Sequence, residues 1–398
     1  SSDVCSSDLA VESEAFVEES AHRLNPDFYS IGNIYLAYRK AKTEAFYEST
    51  HFHALAFTKF EQDLHRNLLS LQRRLKESSP SWPRDPAFIG DHAYLPKSVD
   101  TTAWDSTTNG HYRALDPRSD WRQRFMESRT RANASLRLVI RPTVEFQVVS
   151  ALWILCVGHL FDAALDRATS FGNRLRRSRS AGKDDRLAVS SVNLTTPALF
   201  EPYFSAYRNW RERGLAAMES SVEKGQSIWA ITMDVEKFYH RVSPRFILRK
   251  SFLAKIGLTL NRQELRFTSL LLEAIETWYG ETPDAIGRPE GAIPVGLSAS
   301  KIIANVLLVE FDRAVPKKLN PIYYGRYVDD VFLVLNAAEG DHGAARVTAR
   351  IAAELDVSRG SVREALHDVK LTLALTIARV RAAKLVMNFS KPDSSFST

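Results

Sequence analysis

Asp329 and Asp330 stand side by side in an otherwise apolar run, Tyr323-Tyr324-Gly325-Arg326-Tyr327-Val328-Asp329-Asp330-Val331-Phe332-Leu333-Val334-Leu335. Adjacent carboxylates repel unless a cation offsets their charge. A pair of divalent metals does this, and two-metal sites are how polymerases handle phosphoryl transfer. The β-branched and aromatic flanks predict two strands, with the acids at the hairpin tip between them. A third acid, Asp234, has a similar setting. It follows a predicted strand, Ser227 to Met233, in the run Ile231-Thr232-Met233-Asp234-Val235-Glu236-Lys237-Phe238-Tyr239. A strand-end acid and a hairpin-tip acid can converge on neighbouring strands of one sheet, and their oxygens suit magnesium. The competing reading makes Asp329 and Asp330 ordinary surface-turn residues. It leaves the ordered neighbouring segments unexplained.

Other residues fit the same chemistry. Ser135 to Pro142 predicts a strand ending at a proline, and Arg137 and Arg141 on it would point the same way, so two guanidinium groups could meet one triphosphate. Gly291-Ala292-Ile293-Pro294-Val295-Gly296-Leu297 leads into a predicted helix, Ser298 to Phe311, which carries Asn305. Phe171-Gly172-Asn173-Arg174-Leu175-Arg176-Arg177, with Arg179, Lys183 and Arg186 behind it, is either a solvated basic surface or a track for phosphates.

These residues need elements to position them. From about Ala10 to Arg131 the pattern is mostly helical, with Phe57, Phe60, Leu64, Leu68, Leu71 and Leu75 at helical spacing before the breakers Ser78-Ser79-Pro80. Tyr35 to Lys42 mixes aromatics with positive charge, as an amphipathic helix or as a nucleic-acid contact. Trp82 to Pro117 reads as loop-rich. Val144 to Leu165 predicts a buried helix, and Glu264 to Trp278 a helix stopped by Gly280. The string from Ile351 to Leu366 resembles a helix-turn-helix, but no wing hairpin follows it, so a helix of a catalytic domain is preferred. There are no internal repeats.

The bulk properties set wide bounds. The chain has 398 residues, 44% hydrophobic and 25% charged, as in ordinary soluble globular proteins. A net charge of +6 is compatible with a polyanionic partner. Cys5 and Cys156 are too few for a disulfide framework or a cysteine-rich zinc site. The longest apolar stretch, Val148 to Val157, is too short to span a bilayer, and a cytoplasmic protein with no membrane partner is expected. Ser1 to Leu9 has the look of a non-native, adapter-derived leader, which marks the chain as a fragment of a longer one.

The ordered segments strongly resemble the motifs of reverse transcriptases, RNA-directed DNA polymerases. The Asp234 segment resembles motif A, Pro294-Val295-Gly296 motif B and Tyr327-Val328-Asp329-Asp330 motif C. Ser135 to Pro142 and Phe171 to Leu175 resemble the fingers motifs, and Asn388-Phe389-Ser390-Lys391 loosely resembles motif D. Within that family the helical N-terminal part and the Phe-Gly-Asn-Arg-Leu string look most like the bacterial defence-associated, abortive-infection and "unknown group" enzymes. The resemblance implies an α+β right-hand fold. A helical N-terminal extension over 10–134 would precede fingers over 135–226 and an RRM-like antiparallel palm over 227–398, with a thumb lying beyond Thr398.

It also implies roles. Asp234 and Asp329 would hold two Mg2+ ions, or Mn2+, with Asp330 assisting and the Val235 backbone carbonyl completing one coordination shell. Tyr239 falls at the steric gate that abuts the sugar 2′ position, beside Phe238; RNA-synthesising relatives tend to carry an acid there, so Tyr239 favours DNA synthesis. Arg137 and Arg141 would grip the triphosphate. Pro294, Val295 and Gly296 would floor the templating pair, with Asn305 behind them and Lys391 near the pyrophosphate. Many relatives carry Gln at the place of Val295. The implied partners are an RNA template, a nucleic-acid or protein primer and deoxynucleotides, with room for an associated noncoding RNA and an oligomer. Two alternatives stand beside templated synthesis. One is template-independent or protein-primed DNA synthesis, with Tyr35, Tyr38 and Tyr47 among the candidate primers. The other is a non-catalytic nucleic-acid-binding regulator on a polymerase fold.

Overall fold

The computed structural model describes residues 24–48, 50, 53–99, 116, 118–119, 122–123, 134–178, 192–235, 238–289, 291–338, 344–355 and 373–380. The leader string, most of the helix-turn-helix-like string and the motif D string with Lys391 lie outside them.

Helix α1 (Ile31–Tyr47) starts at Ser30, whose hydroxyl accepts from the Asn33 amide. Its inner face, Ile34, Ala37, Tyr38 and Ala41, follows helical spacing. Helices α2 (Ala54–Glu61) and α3 (Leu64–Lys76) bury Phe57, Phe60, Leu68, Leu71 and Leu75, as the spacing predicts. Downstream lies a strand, β1 (Gly90–Val99), paired antiparallel with β2 (Ala134–Pro142). This corrects the loop-rich reading of Trp82 to Pro117 as far as Val99; 100–115 and 117 lie outside the described residues. Gly90, Asp91 and Pro96 depress strand propensity, and Pro96 is tolerated because the ladder shifts register between Pro96 and Ser98. The ladder joins 90–99 to 134–142 across the division expected at 134/135.

Helix α4 (Val144–Trp153), capped by Thr143, runs through a π turn (Ile154–Gly158) into α5 (His159–Ala163). The run Val144–Ala163 holds an 18-residue window with a mean hydropathy of 1.7, long and apolar enough to cross a membrane, which corrects the shorter stretch Val148–Val157. In the fold 83% of that window is buried.

Helix α6 (Tyr203–Glu223) leads into β3 (Ile228–Val235). After α7 (Lys250–Ile256) comes α8 (Arg262–Gly280), opened by a capping box between Asn261 and Glu264. The predicted helix Ser298 to Phe311 is broken at Leu308 into α9 (Ser298–Leu307) and α10 (Val309–Leu319). The apolar run across the break contains no Gly or Pro to announce it. Strands β4 (Tyr323–Tyr327) and β5 (Asp330–Asn336), helix α11 (Ala344–Leu355) and β6 (Leu373–Val380) follow.

The main sheet is antiparallel in the order β4-β5-β3-β6. Side chains alternate across it. Trp229, Ile231, Met233, Val331, Leu333 and Leu335 join the large core, which α4, α8 and α9 also build. Ile228, Ala230, Phe332 and Val334 face the other way, onto α6 through Trp210 and Met218. Helix α6 can lie close only because of Gly214: a Cβ there would fall 2.2 Å from the Phe332 ring. Together these elements fit an α+β fold.

Candidate active site

Tyr327 pairs with Asp330, so Val328 and Asp329 form a two-residue hairpin turn. Val328 has φ 59°, whereas Asp329 is not among the positive-φ residues. A positive φ at the first turn position alone is the type II′ pattern, normally served by Gly. A β-branched residue is strained there, so its surroundings must hold it. Two contacts do so. The Arg326 guanidinium donates to the Val328 carbonyl (Nη1–O 2.6 Å). Gly172 lies against the turn so closely that a Cβ would stand 2.8 Å from the Val328 amide nitrogen.

Arg326 alternates onto the core side of β4 and is wholly buried. Its Nε and Nη2 engage Asp312 of α10 at 2.7 and 2.5 Å, a two-pronged ion pair. Burial opposes the charge, but Asp312 more than offsets it, and the guanidinium pKa is raised above its ordinary value. Asp312 also accepts from Tyr324. Asn305 links the parts: its Oδ1 accepts from Arg326 Nη1 (2.7 Å), and its Nδ2 donates to the Gly172 carbonyl (2.9 Å). The segment around Gly172 is itself stitched to β4, Arg326 N donating to Thr169 O (2.7 Å) and Phe171 N to Arg326 O (2.9 Å). Arg326, Asp312 and Ser170, whose hydroxyl accepts from Arg326 Nη2 (3.2 Å), were given no role from the sequence. An arginine on the inward phase of an apolar strand was the available signal.

Alternation along β3 puts Asp234 on the face of Ile228 and Ala230, and along β5 it puts Asp330 on the face of Phe332. All this is the α6 face. Asp329 titrates near pH 6 instead of 3.8, pushed up by burial, then by the charges of Asp234 and Asp330, with Arg137 pulling the other way. Asp234 and Asp329 are therefore electrostatic neighbours, and Arg137 on β2 faces them. Asp330 also acts on Tyr203 and Tyr327. Tyr239 also lies here: burial, then Asp329, then Glu48 raise its hydroxyl pKa, and Arg137 opposes them.

Among the described residues no three His, Cys, Asp or Glu side chains form a ready-made metal cage. The donor chemistry nevertheless suits a hard divalent cation. Hard carboxylate oxygens repel one another at Asp329, and added positive charge would relieve that repulsion. Val235, whose carbonyl was expected to ligate, is the last residue of β3.

The remaining expected residues fall into three groups. Beside the site, Ile140 N donates to Val295 O (2.9 Å) and Ile293 N to Tyr239 O (2.8 Å), so β2, the Pro294 loop and the Tyr239 segment are tied together. Gly296 has φ 101°, and a Cβ there would meet Thr50 at 2.9 Å. Behind the site, Phe238 is buried in the core and Asn305 is wholly buried in the Arg326 network. At its edge, Arg141 is exposed on β2, across from Asp91. Arg179, Lys183 and Arg186 of the basic loop lie outside the described residues, and the described part differs from the phosphate-track reading. Arg174 and Arg177 both turn inward onto Asp162 at 2.8 Å, and Arg176 donates to the Phe200 carbonyl. Of the tyrosines weighed as primers, Tyr38 is buried with its hydroxyl on Glu61, while Tyr47 is 75% exposed.

An antiparallel sheet with acids at a strand end and at the neighbouring hairpin tip, beside a strand carrying Arg137 and Arg141, has the chemistry to take a phosphorylated substrate. The family description "reverse transcriptase (RNA-dependent DNA polymerase)" matches residues 133–376, more than half of the chain. The chain belongs to the reverse transcriptase family. Membership supports nucleotidyl transfer from deoxynucleoside triphosphates on a nucleic-acid template, by enzymes that generally use divalent metal ions. No curated protein matches the chain.

Proposed function

We propose that this protein is an RNA-directed DNA polymerase that extends a primer by two-metal phosphoryl transfer. The observation that carries the reading is the pairing of a strand-end acid, Asp234, with Asp329 in the neighbouring hairpin turn, where burial and then the charges of Asp234 and Asp330 lift Asp329 to about 6, inside a reverse transcriptase domain. Magnesium held by Asp234, Asp329 and the Val235 carbonyl, with Asp330 beside them, supplies the charge that activates the primer hydroxyl and steadies the leaving pyrophosphate. Arg137 binds the triphosphate next to these acids, with Arg141 further along the same strand. The Tyr239 ring closes the space at the sugar 2′ position and selects deoxynucleotides. Gly296 lets the backbone under the templating base come close, and Pro294 and Val295 shape that floor. In this reading 135–226 serves as fingers and 227–398 as palm of a right-hand fold. The resemblance of α1 and of the Phe171-Gly172-Asn173-Arg174-Leu175 string supports a setting in bacterial antiphage defence.

The test is primer extension on an RNA template by the purified chain. Asp234→Asn and Asp329→Asn should each abolish incorporation, and Tyr239→Ala should admit ribonucleotides. Full incorporation by Asp329→Asn would sink the proposal. If Asp329→Asn with Asp330→Asn instead left a cellular phenotype intact, a non-catalytic regulator would replace it.

A second reading, priming from a protein hydroxyl, is favoured by Tyr47. It is exposed and adjoins Glu48, whose charge acts on Tyr239. Mass spectrometry after synthesis should then find nucleotides on Tyr47; unmodified protein removes this reading.

A further inference from the structure

The first turn of α6 presents two large aromatics to solvent, Tyr203 at 63% and Phe204 at 66% exposed. Neighbouring exposed aromatics on a helix call for a partner. Tyr203 is held rigidly from one side. Its ring stacks on Tyr207 (centroids 5.7 Å, 20° between planes) and sets its edge against Tyr327 at 5.7 Å. Tyr207 in turn touches Tyr327 at 5.4 Å and Trp210 at 5.3 Å. The aromatic row therefore ends on the residue that opens the Val328-Asp329 turn.

Charge lies along the same helix. Phe204, Arg208 and Arg211 are spaced i, i+4, i+7, on one exposed face. Arg208 comes within 4.0 Å of Glu212, but both side chains stay largely in water, so the contact is weak. An aromatic step followed by arginines matches a single nucleic-acid strand, whose bases stack and whose phosphates need cations. Position selects the strand. Arg137 and Tyr239, assigned to the incoming nucleotide, are the electrostatic neighbours of Asp329: Arg137 acts on Asp329, and Asp329 on Tyr239. Tyr203 adjoins the hairpin at Tyr327 and feels Asp330 instead, which leaves its side of the turn to the primer.

We propose that Tyr203 and Phe204 form a stacking ledge for the terminal bases of the primer strand, with Arg208 and Arg211 on its phosphates. The ledge rests on the polymerase reading above. It adds a contact surface that precedes motif A in the chain and contains no metal-binding acid.

The test uses the full chain and a primer–RNA template duplex with 2-aminopurine as the 3′-terminal primer base. Anisotropy gives the Kd, and 2-aminopurine quenching reports stacking. Phe204→Ala has no ring contact with the turn to disturb, and it should weaken the Kd by roughly 5- to 150-fold and relieve the quenching. Tyr203→Ala should do the same, and Phe204→Trp should restore both signals. The KM for deoxynucleotide should move little. If Phe204→Ala leaves Kd and quenching unchanged while wild type extends the primer, the ledge is overturned and the polymerase reading stands. If wild type binds and quenches but incorporates nothing, the ledge survives and the polymerase reading falls. Loss of self-association in Phe204→Ala with unchanged duplex binding would also overturn the ledge, by assigning the surface to a protein contact.

Discussion

At the scale of single residues, Asp329 links protonation to stability and, under the proposed function, to metal binding. Its folded-state pKa, about 6, lies above the ordinary 3.8, so across that window the folded protein holds more protons than the unfolded one. Metal-free stability should therefore fall as pH rises from about 4 to 6 and stay lower above that. Asp329→Asn should remove this slope and be at least as stable as wild type at neutral pH. Added magnesium or manganese should raise the Tm of wild type above pH 6, but not that of Asp329→Asn. Thermal melts across pH, with and without metal, check all three points, and a flat wild-type profile would contradict them. Arg326 gives the second residue-scale prediction. Arg326→Ala strands the Asp312 carboxylate in the core and should cost about 3–5 kcal/mol in denaturant unfolding. Arg326→Lys keeps the charge but loses the two-pronged geometry. It should fold, yet show a kcat reduced more than its primer–template affinity, because Val328 loses its tether. The acids were legible in the sequence because repelling charges in an apolar run need an explanation. Arg326 was not, because a strand arginine is ordinarily a solvated one.

At the scale of elements, close approach of α6 to the sheet sets where the acids and the aromatic ledge meet. Gly214→Ala should improve intrinsic helix propensity by up to about 1 kcal/mol. The added methyl would collide with Phe332 and Tyr323, so the net effect should be destabilisation on the order of 1–3 kcal/mol, read by urea titration. A stabilised variant would mean that α6 sits further from the sheet. Strands β2, β3, β4 and β5 and helix α8 were readable because period and punctuation agree there. The break at Leu308 was not, since it is made by tertiary demand. Asn305 on α9 and Asp312 on α10 must both reach Arg326. Likewise β1 gains its place from pairing with β2, against the propensity of Gly90, Asp91 and Pro96.

At the scale of the whole molecule, residues preceding the family match are part of the same core. Helix α1 packs on α4, Lys40 donates to the carbonyls of Asn193 (2.8 Å) and Thr196 (2.7 Å), and Glu44 accepts from Leu199 N (2.9 Å). The Tyr35 to Lys42 segment thus has a buried structural cation where a solvated or nucleic-acid-facing one was expected. A chain restricted to 133–376 should lack cooperative unfolding and expose apolar surface, whereas one beginning near residue 24 should melt cooperatively. A cooperative melt from 133–376 would show the N-terminal helices to be dispensable. Composition gave no hint of this integration, because an amphipathic helix looks the same whether it covers its own domain or another.

The stitching of Thr169 and Phe171 to Arg326 has a further consequence. β4 is an end strand of the sheet, and its outer N–H and C=O groups would otherwise invite a strand from another chain. The loop occupies that seam at Arg326, directly before the turn. The protein thereby guards this edge against edge-to-edge aggregation right beside the turn that carries Asp329.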